Sequence, residues 1–169
     1  KRDEAIVEKY LDLSPNAKAI GFCVSIKHAD RMAAVFSEKG IPSTSIHSGL
    51  TKDERAERIL KFETGGVLCA FTRDLFNEGV DVPDTDALLF LRPTESKIIF
   101  TQQLGRGLRI SPGKKCVRVL DFIGNYKGAE DIPGFIHSMA SQGDEADATP
   151  REKPEYIYDN GCKISFADE

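Results

Sequence analysis

The protein has 169 residues, of which 40% are hydrophobic and 30% charged, and its formal net charge is −4. This composition is typical of one soluble globular domain with or without a tail, and it excludes a disordered chain. No apolar run approaches the roughly 18 residues of a membrane span, and residues 1–4 lead into a segment without the apolar core of a secretory signal. Because the first residue is Lys1 and not Met, we expect a piece of a longer protein. The expected setting is cytoplasmic, without a membrane partner.

The acidic charge is concentrated near the C-terminal end. Residues 144–169 contain eight acidic and three basic side chains, so the rest of the chain carries a net charge of +1. A negative total charge argues against a nucleic-acid partner, which usually meets a basic face. A nearly neutral body can still present a local basic groove, so the charge leaves a nucleic-acid partner open.

The chain has four widely spaced cysteines, Cys23, Cys69, Cys116 and Cys162. They form no Cys-x-x-Cys pair, and three lie in or beside apolar runs, as small buried thiols do. His28 and His47 have no partner at metal-ligand spacing either. We therefore predict no metal site and a reducing environment.

Four short and nearly all-apolar runs are predicted to be strands: 17–24, 67–71, 87–91 and 117–122. Continuous apolar strands indicate a sheet that is covered on both faces. Helical patterns separate the runs. The sequence therefore predicts an α/β fold with a parallel, doubly wound sheet and helices on both faces.

Three helices are predicted between these strands. The first carries four apolar residues on one face, Ala29, Met32, Ala33 and Phe36. It ends before Gly40 and Pro42. The second begins at a possible capping box of Thr51 and Glu54. It continues with apolar residues at helical spacing, Ala56, Ile59 and Leu60. A third helix is predicted from about Ser96 to Arg109.

The character of the sequence changes after Gly143. Residues 143–154 are acidic, contain two prolines and have little apolar content, which is typical of a linker or loop. Apolar alternation returns over residues 156–166. We predict a domain over 1–143, followed at 144–169 by an acidic linker and the start of a truncated segment.

The strongest candidate site lies on the predicted third helix. Gln102, Gly105, Arg106 and Arg109 are spaced i, i+3, i+4 and i+7, which gives one polar stripe. Two planar guanidinium groups beside a glycine suit the oxygens of a transferring phosphoryl group, as an arginine finger does. A solvated helix end, whose arginines complement the helix dipole, fits this stripe equally well.

A second candidate is the loop over residues 72–83, which follows the predicted strand that ends at Phe71. In open α/β sheets, ligands bind at the carboxyl ends of the strands, where this loop must lie. Its Gly79 is followed by Asp81, a carboxylate that could accept a ribose hydroxyl or orient an arginine. A turn in which Asp81 bonds its own backbone is the structural alternative.

Four segments, 22–25, 47–49, 78–83 and 102–109, together resemble motifs IV, IVa, V and VI of superfamily 2 helicases. The likeness covers residues 17–125. The segments 89–96 and 119–124 are similar to bacterial DEAD/DEAH-type helicases related to type III restriction subunits. The resemblance implies the second, C-terminal RecA-like motor domain of a nucleic-acid-stimulated ATPase.

The resemblance also implies roles for single residues. Arg106 and Arg109 match the arginines that reach the γ-phosphate of ATP, and Gln102 occupies the opening position of that motif. Gly79 and Asp81 match a pair near the nucleotide sugar and the domain interface. Six residues are implied to lie along the nucleic-acid backbone: Ser25, Ser48, Gly49, Thr72, Arg73 and Arg92.

One of these assignments stays open. The family pattern usually has Thr where this chain has Arg73, and Thr72 lies one place earlier. Either the guanidinium or the shifted hydroxyl could touch phosphate.

The chain contains no Walker A loop, since Gly113-Lys114-Lys115 lacks the upstream glycine and the following Ser or Thr. We therefore expect ATP and Mg²⁺ to be bound mainly by an N-terminal RecA-like domain of the same chain, and residues 1–169 alone to be inactive as an ATPase. The expected partner is DNA, or less readily RNA.

Two other interpretations remain. One is a non-catalytic, motor-like module that binds nucleic acid or protein, which the paired arginines disfavour. The other is a flavodoxin-like or other small-molecule-binding domain, which needs glycines that Ser25-Ile26-Lys27-His28 lacks. A Walker A loop upstream of Lys1 would decide for the motor.

Overall fold

The computed structural model describes residues 2–73, 85–93 and 117–122, and the backbone of 156–157 and 163–164. The chain divides into two compact units, Lys1–Asn125 and Tyr126–Glu169. The predicted domain over 1–143 stays a prediction. Within the described ranges, no helix is long and apolar enough to cross a membrane.

The first unit is built on a parallel sheet. Its described strands are β1 (Ala19–Phe22), β2 (Ser43–Ser45), β3 (Cys69–Thr72), β4 (Ala87–Phe90) and β5 (Arg118–Asp121). They lie side by side in the order β2-β3-β1-β4-β5. The central strand β1 pairs with β3 and β4 in one register, so that Ala19 is opposite both Cys69 and Ala87. The predicted parallel α/β fold is confirmed.

Sequence patterns found four of these five strands and missed β2. Its residues are Ser43, Thr44 and Ser45, which carry no apolar signal. It lies at the edge of the sheet and pairs only with β3 among the described strands. A short edge strand is bonded on one side and needs no continuous apolar run, so apolar patterning cannot detect it.

Three helices are described: α1 (Arg2–Leu13), α2 (Ile26–Glu38) and α3 (Lys52–Glu63). The sequence patterns do not predict α1. This helix buries Ile6, Val7 and Tyr10 on one side, and the Tyr10 hydroxyl donates to the carbonyl of Ala17 at 2.6 Å. A narrow apolar stripe within a charged segment is a weak signal until the sheet is there to cover it.

The predicted α2 is confirmed in its face and its end. Its four predicted apolar residues are all buried: Ala29, Met32, Ala33 and Phe36. Gly40 follows with a φ of +80°, a left-handed conformation that favours glycine after a helix.

The capping box of α3 is also confirmed. Thr51 accepts a bond from the Glu54 amide at 3.3 Å, and the Glu54 carboxylate accepts one from the Thr51 amide at 2.9 Å. The apolar pattern after it was partly misleading. Leu60 is 58% exposed, whereas Phe62 is fully buried.

The sheet buries side chains on both of its faces. One face packs with α1 and α2 through residues that include Tyr10, Phe36, Phe71 and Leu89. The rings of Phe36 and Phe71 meet edge to face with centroids 4.8 Å apart. Alternate residues point to the other face, where the rings of Phe22 and Phe90 lie 5.2 Å apart.

The strand order explains why the helices cover both faces. The chain leaves β1, passes through α2 to the sheet edge at β2, and returns through α3 to β3. Right-handed crossovers in opposite directions put the connecting helices on opposite sides of a sheet. This is the doubly wound arrangement, and it brings the loops after β1, β2, β3 and β4 to one edge.

The predicted third helix, 96–109, lies outside the described residues. In the second unit, β6 (Tyr156–Ile157) and β7 (Lys163–Ile164) form an antiparallel pair in which Tyr156 is opposite Ile164. Both strands fall within the predicted apolar alternation of residues 156–166.

Candidate nucleic-acid interface

The six predicted nucleic-acid contacts all follow strands at the carboxyl edge of the sheet. Ser25 follows β1, and Ser48 and Gly49 follow β2. Thr72 is the last residue of β3 and Arg73 comes directly after it, while Arg92 follows β4. All β1 to β5 strands run in the same direction, so these loops share one edge. Ligands of open α/β sheets bind at this edge.

Ser25 is the N-cap of α2. Its backbone is extended, and its side-chain oxygen accepts a bond from the His28 amide at 3.1 Å. This bond uses a lone pair of the hydroxyl and leaves its proton to donate. An N-cap serine at a helix start can thus offer an O–H donor beside free helix amides, a combination that suits a phosphate oxygen.

Ser48 and Gly49 form an exposed turn, closed by a bond from the Leu50 amide to the carbonyl of His47 at 3.3 Å. The turn lies next to the start of α2, because a Cβ placed on Gly49 would be 3.7 Å from Cδ1 of Ile26. The same Cβ would be 3.1 Å from Nδ1 of His47. The fold therefore brings the segments of Ser25 and Ser48 together, and a side chain at position 49 would press on His47.

Thr72 and Arg73 have opposite environments. Thr72 is fully buried, whereas Arg73 is exposed. The carbonyl of Arg73 accepts a bond from Nη1 of Arg92 at 2.8 Å, which links the ends of β3 and β4. Arg92 is itself partly exposed. The Arg92 guanidinium thus lies against the backbone of Arg73 at this edge.

An open cavity of about 520 Å³ adjoins the same edge. It is lined by Arg2, Asp3, Val24, Ser25, Lys27, His28, Arg31, Leu91, Pro93 and Phe122. Nε of Arg31 donates to the Asp3 carboxylate at 2.6 Å. The lining therefore combines basic side chains with an apolar wall.

His28 is neutral over most of the physiological range. Burial lowers the pKa of this imidazole, and the nearby charge of Arg31 lowers it further. Its Nδ1 accepts a bond from the Val24 amide at 3.4 Å, so the proton of the neutral ring belongs on Nε2. His28 lies in the first turn of α2.

A polar network lies beneath the Ser48–Gly49 turn. Oδ1 of Asp30 on α2 accepts a bond from the Ser45 hydroxyl at 2.5 Å and lies 3.1 Å from Nε2 of His47. Nη1 of Arg58 on α3 donates to the carbonyl and the hydroxyl of Ser45 at 2.8 and 2.9 Å. Sequence reasoning missed this group, because its members are scattered over 29 positions without a shared motif.

The described cysteines are structural. Cys23 and Cys69 are buried and free, and burial raises the pKa of each thiol to about 12. They are therefore protonated at neutral pH, and the predicted burial of these two thiols is confirmed. In the described part of the chain, no cluster of three His, Cys, Asp or Glu residues could hold a metal ion.

The predicted ATP site lies outside the described residues. This concerns five residues: Gly79, Asp81, Gln102, Arg106 and Arg109. Their assigned roles stay predictions.

Comparison with known proteins identifies the family. The family model of the helicase conserved C-terminal domain matches residues 2–111, more than half of the chain. The chain belongs to this family, as the sequence motifs predicted.

Curated relatives agree with this assignment. The chain is 31% identical over 151 residues to the "Putative ATP-dependent helicase IRC3" of Saccharomyces cerevisiae, which covers 87% of this chain and 22% of the relative. It is 30% identical over 138 residues to the type I restriction enzyme EcoKI endonuclease subunit of Escherichia coli. This match covers 73% of this chain and 12% of that protein. The chain thus spans less than a quarter of either protein.

Solved structures show the same fold. A fragment described as "a putative HsdR subunit of a type I restriction enzyme" from Vibrio vulnificus matches with a TM-score of 0.67 and 23% identity, over 79% of this chain and 29% of that one. The C-terminal domain of the DEAD-box protein Dbp5 matches with a TM-score of 0.62 and 19% identity. This match covers 85% of this chain and 80% of that one. The predicted fold of a helicase C-terminal domain is confirmed, and these two restriction-enzyme relatives are of type I.

Proposed function

We propose that this chain is the second motor domain of a longer ATP-dependent helicase or translocase. In this proposal it supplies arginine fingers to ATP hydrolysis and one wall of a nucleic-acid groove. The observation that supports the proposal best is the convergence of four loops at the carboxyl edge of the sheet. They bring Ser25, the Ser48–Gly49 turn, Arg73 and Arg92 to the same side of a helicase-family domain.

The proposed groove reads the backbone of the nucleic acid. Hydroxyl, amide and guanidinium groups donate to phosphate oxygens and carry no sequence information. Arg73 is the better of the two candidates after β3, because it is exposed whereas Thr72 has no exposed surface. DNA is the nucleic acid that we expect to bind in this groove, in keeping with the restriction-enzyme relative, and RNA is the alternative.

The proposed chemistry is shared between two domains. ATP and Mg²⁺ would bind mainly to a preceding RecA-like domain, and Gly79, Asp81 and Gln102 would complete the nucleotide site from this side. Arg106 and Arg109 would then stabilise the charge that develops on the γ-phosphate in the transition state. Hydrolysis would depend on closure of the two domains, and closure would move the groove along the strand.

Steady-state ATPase kinetics of the full-length protein test this proposal. With saturating DNA, Arg106→Ala or Arg109→Ala should lower kcat roughly 10³-fold or more, the scale of arginine fingers. Binding of ATP and DNA should fall much less, since a finger acts on charge that appears only in the transition state. Arg→Lys should rescue poorly, because an ammonium cannot reproduce the planar fork.

Lys114→Ala is the control, since Lys114 lies beyond the polar stripe and follows Pro112 and Gly113, which are typical turn residues. It should leave kcat near the wild-type value. Near-normal kcat in both arginine-to-alanine variants, beside normal nucleic-acid binding, would instead favour the non-catalytic binding module. Parallel assays with single-stranded DNA and RNA identify the strand that stimulates hydrolysis.

A further inference from the structure

The Asp30–His47 pair links the two segments that begin the proposed groove. Asp30 lies on α2, whose N-cap is Ser25, and His47 immediately precedes the Ser48–Gly49 turn. Oδ1 of Asp30 and Nε2 of His47 are 3.1 Å apart. The pair therefore joins one groove segment to the other, across 17 positions of sequence.

The surrounding bonds indicate which atom donates in this pair. An ionised Asp30 can only accept, and the Ser45 hydroxyl already donates to its Oδ1 at 2.5 Å. Nε2 of His47 must therefore carry the proton that it shares with Asp30. Ser45 in turn accepts from Arg58 at 2.9 Å, so each of these bonds has a defined donor and acceptor.

The other ring nitrogen faces the turn. The side chain of His47 is 9% exposed, and its Nδ1 has no hydrogen-bond partner among the described residues. The backbone of Gly49 packs against this nitrogen, so closely that a Cβ at position 49 would be 3.1 Å away. The ring is thus held on one side by Asp30 and supports the exposed turn on the other.

We propose that Asp30 and His47 are positioning residues for nucleic-acid binding, which hold the Ser48–Gly49 turn at a fixed distance from Ser25. The inference rests on the proposed function, because it assumes that these segments contact phosphates. A backbone-reading groove needs its donors at the spacing of successive phosphates, and a hydrogen-bonded pair between α2 and the turn sets that spacing. Neither residue touches the strand in this role.

The proposal predicts that loss of the Asp30 carboxylate weakens nucleic-acid binding, although this removes a negative charge. The Asp30 side chain is 50% exposed, so its negative charge is felt at the groove. Electrostatics alone predicts that Asp30→Ala binds a polyanion more tightly, since a repulsive charge is removed. Positioning predicts the opposite, because the turn loses its support.

The test measures the Kd of the full-length protein for single-stranded DNA at several salt concentrations. Asp30→Ala should weaken binding on the order of 3- to 10-fold, the value of one net hydrogen bond, and lower the salt slope. Asp30→Asn should stay near the wild type, because its amide oxygen still accepts from His47. Asp53→Ala is the matched control: it removes an exposed acid from the first turn of α3 and should leave binding unchanged or tighter.

A second pair of variants is independent of the charge. The amide nitrogen of Gln can occupy the place of Nε2 and donate to Asp30, whereas that of Asn reaches only the place of Nδ1. His47→Gln should therefore keep the wild-type Kd, and His47→Asn should lose affinity as Asp30→Ala does. This pair decides the matter if thermal melting shows that Asp30→Ala does not fold.

The outcomes separate the inference from the proposed function. A wild-type protein that binds no nucleic acid at any salt concentration overturns both. A wild-type protein that binds, together with equal or tighter binding by folded Asp30→Ala or equal Kd values for His47→Gln and His47→Asn, overturns the inference alone.

Discussion

The two edges of the parallel sheet use their polar groups in different ways. At the amino edge, polar groups bond to neighbouring strands and helices. At the carboxyl edge, the chain leaves Ser25, Ser48 and Arg73 at least partly exposed. The difference separates residues that hold the fold from residues that are available to a ligand.

Lys18 and Asp86 illustrate the amino edge. The carbonyl of Lys18 accepts from the amides of Asp86 and Ala87 at 2.7 and 3.1 Å, and the carbonyl of Asp86 accepts from Arg118 at 2.9 Å. Nζ of Lys18 donates to the carbonyl of Glu63 at 3.0 Å and lies 5.1 Å from the ring centroid of Phe62. A buried ammonium thus closes the C-terminal end of α3, where helix carbonyls lack partners.

The carboxyl edge begins with the same ladder bonds and then diverges. The Cys23 amide donates to the carbonyl of Thr72 at 2.7 Å, and the Leu91 amide donates to that of Phe22 at 3.0 Å. Beyond these bonds, the strands lead into helix starts and exposed turns. Helix N-termini and guanidinium groups favour an anion, so this edge is suited to phosphate.

Replacing Lys18 should produce the largest effect on stability. Lys18→Met keeps an unbranched side chain but removes the charged donor to Glu63, so the free energy of unfolding should fall by roughly 1.5–3 kcal/mol. Lys61→Met is the matched control. It removes an exposed pair with Glu57 at 2.7 Å, and such pairs contribute only about 0.3–0.5 kcal/mol.

Urea unfolding of the chain gives both values, and nucleic-acid titration of the full-length protein should give an unchanged Kd for Lys18→Met. Equal stability losses for the two lysine variants would show that the buried bond of Lys18 contributes no more to folding than an exposed ion pair does.

Replacing Arg73 should lower the affinity for nucleic acid, in contrast to the replacement of Lys18, which should lower stability. Arg73→Ala should weaken binding equally for all nucleic-acid sequences and lower the salt slope by about one phosphate contact. The backbone carbonyl that accepts from Arg92 is retained in this variant. Arg118→Ala is the control, since it removes the same charge from the exposed start of β5 at the amino edge.

Fluorescence titration of the full-length protein at graded salt concentrations measures both variants. If Arg73→Ala and Arg118→Ala had the same Kd and salt slope, charge alone would matter, and the two edges would not differ in function.

The smallest effect is expected at His28. Its pKa in the folded state lies below the ordinary value of 6.5, so the unfolded chain takes up the proton first. The neutral ring's contribution to stability is present above pH 6.5 and is lost as the pH falls below it. His28→Gln should therefore show a smaller loss of stability than the wild type between pH 7.5 and about pH 5.5.

Urea midpoints of the wild type and of His28→Gln at the two pH values measure this difference. An identical loss of stability in both proteins would mean that burial at the carboxyl edge does not lower the pKa of His28.

The sequence predicted the central strands well, because their residues are apolar on both faces and need no partner to be recognised. It predicted α2 and the capping box of α3 from local chemistry, in which Thr51 and Glu54 bond within one turn. It did not predict α1, whose stripe of Ile6, Val7 and Tyr10 has meaning only against the sheet. Leu60 was misleading for the same reason, since helical spacing alone does not say which face is covered.

The residues of the candidate site also fall into two groups, those that the sequence predicted and those that only the tertiary structure revealed. The order of the motifs alone predicted the helicase family and the residues Ser25, Ser48, Gly49 and Arg73, because the spacing of the family's motifs is visible in the sequence. Burial, which depends on packing, distinguished Thr72 from Arg73. The Asp30–His47 pair could come only from the tertiary structure, because a hydrogen bond between α2 and the β2–α3 turn exists only once the sheet has set both in place.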